Sequence, residues 1–102
     1  MDAASRALLE SWVTGVGKRP GRQCGVFTGT DGEPFGPRAR PLDYPDILIA
    51  GHVVDDALIL ELSDRTERID AVTEVLPGEH AWGPGLQVSG RIAGSGADVW
   101  LV

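Results

Sequence analysis

Residues 57–75 read ALILELSDRTERIDAVTEV, and this stretch decides the fold. Leu58, Leu60 and Leu62 alternate with Ala57, Ile59 and Glu61; after a break at Ser63-Asp64-Arg65, Ile69 and Ala71 alternate with Arg68 and Asp70. Period-two alternation on both sides of a polar break predicts a β-hairpin with one apolar and one wet face. On this register Ile59, Glu61, Arg68, Asp70, Val72 and Glu74 face solvent. A hairpin alone cannot cover its leucines, so further strands must flank it.

Working outward, residues 46–54 (DILIAGHVV) are apolar on both faces with Gly51 in the middle, the pattern of a long strand that bends and pairs on both sides. Asp55-Asp56 forms the turn into the hairpin, which is expected to end near Leu76 at Pro77-Gly78. Residues 78–85 (GEHAWGPG) read as a loop, too short and glycine-rich for a helix. In residues 86–93 (LQVSGRIA), Leu86, Val88, Gly90 and Ile92 share one face and Gln87, Ser89 and Arg91 the other. Gly94-Ser95-Gly96 is the expected tight turn, and residues 98–102 (DVWLV) close the chain as an edge strand. The expected class is all-β: a small five-stranded antiparallel barrel or meander, although an SH3-like barrel or a sandwich fits the same signals.

Before the strands, Asp2 is placed to cap a helix over residues 1–14 whose first turn is Ala3-Ala4-Ser5. Leu8 with Trp12 and Leu9 with Val13 form its apolar stripe, and Gly15 and Gly17 end it. Three turns are too few for stability in isolation, so the Leu8/Trp12 side is expected to plug an open barrel end. Residues 15–45 form an arm rich in Gly, Pro and Arg, in which only residues 23–28 (QCGVFT) have strand character. The whole is one domain of 102 residues, with residues 46–102 as the barrel.

Charge divides the chain. Residues 1–42 carry a formal +2 and residues 43–102 a formal −8, giving the total of −6. An acidic body repels polyphosphate on average and leaves only a local basic groove for nucleic acid. With one cysteine, Cys24, there is no intramolecular disulfide and no CxxC metal knuckle. His52 and His80 lack close ligand spacing, the serines lack a nucleophile motif, and no GK[ST] follows the glycines of residues 15–32. No catalytic residue, metal site or cofactor is therefore expected. No apolar run reaches the roughly 20 residues of a membrane span, and the expected location is cytoplasmic.

The order of features resembles an OB-fold domain of the nucleic-acid-binding, tRNA-anticodon-like type over residues 47–102. The resemblance rests on three motifs: Ile49-Ala50-Gly51-His52-Val53, the run Leu60-Glu61-Leu62-Ser63-Asp64-Arg65-Thr66-Glu67-Arg68-Ile69, and Gly85-Leu86-Gln87-Val88-Ser89-Gly90-Arg91-Ile92. It implies a barrel sharply coiled at Gly51 and Gly90, and a face of the second and third strands that binds single-stranded nucleic acid. On that reading Arg65, Arg68 and Arg91 contact phosphate, joined by Arg38 and Arg40 of the arm, while Trp82, Phe27 and Phe35 stack on bases. Trp82 is expected to be more exposed than Trp12 or Trp100. The competing expectation for the arginines is that they are solvated partners of Asp64, Glu67 and Asp70. The competing function is a protein-interaction module that offers its acidic barrel to a basic partner, or pairs residues 98–102 with another chain, including a second copy.

Overall fold

The computed structural model describes residues 1–16, 24–28, 46–80 and 83–102. Helix α1 (Ala3–Thr14) precedes six strands: β1 (Cys24–Thr28), β2 (Asp46–Val54), β3 (Ala57–Leu62), β4 (Thr66–His80), β5 (Gly83–Ile92) and β6 (Ser95–Leu101). Each strand pairs antiparallel with its sequence neighbour, and β6 returns to β1, so the sheet is a closed barrel. The all-β expectation holds with six strands instead of five. The added strand is CGVFT, residues 24–28, within the segment expected to be part of the arm. Five residues suffice because β1 fills the gap between β2 and β6, pairing Cys24 with Leu48 on one side and Val26 with Leu101 on the other.

Closure corrects a second expectation. Residues 98–102 are not an edge strand: β6 is hydrogen-bonded to β5 on one side and to β1 on the other. The last residue joins in, since Gly25 donates to the Val102 carbonyl and Val102 donates to the Gly25 carbonyl, each at 2.9 Å.

The core consists of the inward residues that alternation selects, among them Leu58, Leu60, Ile69, Val88, Val99 and Leu101. Alternation fails at two places among the described residues, the larger of them in β4. Asp70 faces Arg91 and Glu74 faces Ser89, so three residues of β4 stand opposite the single Gly90. Ala71 takes up the excess at φ 48, and the strand changes face there. Val72, expected on the solvent face, is buried, while Ala71, expected inside, is exposed. Gly90 makes room for this bulge: a Cβ there would meet Ile69 Cγ2 at 2.6 Å and the Asp70 carbonyl at 2.9 Å. A smaller bulge at Ile49 shifts the β2–β3 register and pushes that isoleucine outward.

Helix α1 plugs the barrel with three of the four residues of the expected stripe, Leu9, Trp12 and Val13, and centres on Leu9 instead of on the Leu8/Trp12 side. Ser5 and Leu9 are buried, Trp12 and Val13 are partly so, and Leu8 is exposed. The helix rotates toward its small side because it lies close to β2, where a Cβ on Gly51 would meet Val13 Cγ1 at 2.7 Å. Gly51 therefore serves helix docking, since its strand and that of Gly90 are not neighbours in the sheet. The ends of the helix are as expected: the Asp2 carboxylate accepts from the Ser5 backbone N–H at 2.7 Å, and Gly15 closes the C-terminus on the Trp12 carbonyl.

The longest correction concerns residues 78–85. Instead of a loop they continue the β4–β5 ladder, with Gly78 opposite Gly85, Glu79 opposite Pro84 and His80 opposite Gly83. A two-residue connection closes on a hydrogen-bonded pair, and antiparallel pairs alternate in class. The pairs holding Pro77 and Pro84 therefore fall in the class that exchanges no hydrogen bond, where a missing N–H costs nothing. Each proline turns its nitrogen to the outer margin of the ladder, a position that blunts edge pairing. The final turn also moves, from 94–96 to Ala93-Gly94, both at positive φ as a two-residue hairpin turn of type I′ requires.

Two outcomes are expected. Gly51→Ala should destabilise the fold by roughly 1–3 kcal/mol in urea unfolding, and Gly51→Ala combined with Val13→Ala should cost clearly less than the two single changes added together; additivity would mean that the two positions do not touch. The second concerns acid. Hydrogen bonds from the Ser5 backbone and side chain hold the Asp2 carboxyl below its ordinary 3.8. A folded value below the unfolded one stabilises fully above about 3.8 and is lost as pH falls through the lowered value. Far-UV ellipticity should accordingly drop on the acid side of 3.8, and Asp2→Asn should flatten that drop.

Candidate functional site

The three arginines assigned to phosphate contact come from one sheet region, but their surroundings differ. Arg65 lies in the β3–β4 turn, whose geometry is fixed by the Leu62 N–H donating to the Arg65 carbonyl at 2.7 Å. Its guanidinium donates through Nη1 to Asp64 Oδ1 at 3.0 Å and through Nε to Glu67 Oε1 at 2.9 Å. With its side chain 19% exposed, Arg65 is a clamp on the turn, and its donors point at carboxylates of its own chain.

Arg68 and Asp70 stand two residues apart on the outward face of β4, and Arg68 Nε donates to Asp70 Oδ1 at 2.5 Å. Arg91 of β5 stands opposite Asp70 in register. The fold thus brings Arg68 and Arg91 to the two sides of one carboxylate and leaves Arg65 apart with its own acids. Arg91 is exposed, and among the described residues it forms no ion pair. One column further, His52 Nε2 meets Glu61 Oε2 at 2.9 Å across β2 and β3, both side chains about half exposed.

Away from this face, Arg6 of α1 donates to the Asp55 carbonyl and stands 3.7 Å from Glu10 and 3.9 Å from Asp56. The Asp56 carboxyl also accepts from the N-terminal ammonium at 2.8 Å, and this hydrogen bond, with the charges of the ammonium and Arg6, lowers its pKa. Altogether the described residues hold four arginines against twelve carboxylates, a formal −8, and Arg6, Arg65 and Arg68 already sit in ion pairs.

Among the aromatic candidates, Phe27 lies in β1 in register with Trp100, and its side chain lies outside the described residues. Trp82, Phe35, Arg38 and Arg40 also lie outside them. Sequence reasoning missed Trp100. Between buried Val99 and Leu101 it projects outward from β6, and its ring rests on Gly78, where a Cβ would meet Trp100 Cη2 at 3.0 Å. The alternation in DVWLV contained that signal, but the floor beneath the ring needed the β4–β5 ladder to run past Pro77.

Among the described residues no group of three or more His, Cys, Asp and Glu side chains is gathered as a metal ion would need, and no helix is long and apolar enough to cross a membrane. In comparison with known proteins, the chain matches no family model, no curated protein and no solved structure.

The burial difference between Arg65 and Arg68 sets an expectation. Arg65→Gln leaves two carboxylates at a turn without their cation and should lower stability by about 1 kcal/mol, whereas Arg68→Gln on the open face should change it by less than about 0.5 kcal/mol. Urea midpoints compared at low and high salt check both values.

Proposed function

We propose that this chain is a non-catalytic binding module whose acidic barrel meets a basic protein surface. One observation carries the reading: the barrel and helix have a formal charge of −8, and most of their few cations are already neutralised by adjacent carboxylates. Such a body steers cationic partners and repels polyanions. Closure adds to the argument. A barrel without a free strand in its wall recognises partners by its faces, since strand addition needs an open edge.

Single-stranded nucleic acid is the second reading, favoured by Arg91, which is exposed beside the Arg68–Asp70 pair, and by the OB-like motifs. Against it stands the strand order. An OB barrel is a Greek key, while the strands here run in sequence around the wall.

Fluorescence anisotropy separates the two. A labelled lysine-rich peptide and a labelled single-stranded oligonucleotide are titrated with the whole chain at low and physiological salt. The first reading expects peptide binding that weakens with salt and no oligonucleotide binding at either salt. Oligonucleotide binding with a steep salt slope, reduced by Arg91→Gln, would replace it with the second.

A further inference from the structure

The outward face of β4, β5 and β6 carries two adjacent cross-strand rows of different chemistry. The first is Leu76, Gln87 and Trp100, placed side by side by the pairings Leu76–Gln87 and Gln87–Trp100. Among the described residues Leu76 is one of four large apolar side chains left exposed, at 48%. Trp100 spreads its ring over Gly78, which keeps the surface flat where any larger residue would lift the indole. Next to it runs the second row, Glu74, Ser89 and Asp98, from the pairings Glu74–Ser89 and Ser89–Asp98. Glu74 is exposed, and Ser89 Oγ donates to Asp98 Oδ1 at 2.6 Å, which fixes that carboxylate in place.

Resting on the reading that the barrel meets a basic protein, we propose that this face is the docking surface, and that its occupant is a protein segment presenting a lysine or arginine beside an aliphatic residue. Charge complementarity selects the occupant. An aliphatic side chain covers Leu76 at the edge of the Trp100 ring, while the neighbouring cation lies between Glu74 and Asp98 with its stem along the apolar row. Polyanions are disfavoured by the carboxylate row, and a purely apolar partner leaves two carboxylates desolvated and unpaired. Arg91, in the row beyond and opposite Asp70, sets the direction: a cation is welcome on the Trp100 side of the carboxylates and repelled on the other. Trp, with its large rigid surface, is the residue type on which binding energy concentrates.

The test uses the whole isotope-labelled chain and three short probe peptides: alternating Lys/Leu, alternating Lys/Ser and alternating Glu/Leu. The Lys/Leu probe should move the amide signals of Glu74, Leu76, Gln87, Ser89 and Asp98 and the Trp100 indole signal. Leu76→Ser and Glu74→Lys should each weaken that binding roughly tenfold or more while leaving the unfolding midpoint near its original value. Equal affinity for Lys/Ser would remove the apolar half of the proposal and overturn it. Shifts confined to other acidic positions, such as Asp55 and Asp56, would overturn this face while leaving the basic-partner reading in place. Binding of the Lys/Leu probe that leaves these signals unmoved would also overturn it. Failure of both lysine probes to bind anywhere would sink the underlying reading as well.

Discussion

The reciprocal pair between Gly25 and Val102, each donating to the other's carbonyl at 2.9 Å, is the contact on which the rest of the structure depends. It locks β1 against the end of β6, while Cys24 to Val26 hold the start of β2. Without β1 the remaining five strands form an open sheet with two bare margins, one of them the apolar DVWLV segment. With it the wall is continuous, and the buried apolar side chains from Val26 to Leu101 form one cluster with Leu9 of α1. A short barrel has little area to bury, so closure and the Leu9 plug are both needed to keep water from the core.

Closure explains features that look like irregularities. A six-stranded wall must coil hard, and the bulge at Ala71 opposite Gly90 lets β4 change direction after passing the β2–β3 turn, where the Val72 N–H still bonds the Asp56 carbonyl. Past the last pairing of β5 with β6 at Leu86, β4 and β5 run on as a two-stranded ladder from Gly78 and Gly85 to His80 and Gly83. Pro77 and Pro84 lie on its two margins, so this extension of the sheet is protected from pairing with other chains. The Trp100 ring packs against the same ladder at Gly78.

Much of this was legible in the residues. Alternation in 57–62 and 86–92, the Asp2 cap and the Gly15 stop all appear where local chemistry puts them, because those signals act within a few residues. What failed depended on partners distant in sequence. CGVFT is too short to announce a barrel strand, and only its two neighbours make it one. Pro77-Gly78 and Pro84-Gly85 carry turn chemistry, yet they sit in a ladder because non-hydrogen-bonded positions tolerate proline. The exchange of Ala71 for Val72 followed from a bulge that no periodicity encodes. Of the site, the pairing of Arg65 and Arg68 with nearby acids was readable from sequence proximity, whereas the Leu76–Trp100 surface required registers across three strands.

The proposed function rests on two features together, the closed wall and the excess of carboxylates among the described residues. Closure is therefore the claim to test first, by amide hydrogen exchange of the whole chain. If β1 completes the barrel, the amides of Gly25 and Val102 exchange as slowly as those of Leu60 and Val88 in the centre of the sheet. If they exchange at the rate of exposed backbone while β3 to β5 stay protected, the barrel is open at β6, and a strand-pairing partner takes the place of the face-docking one.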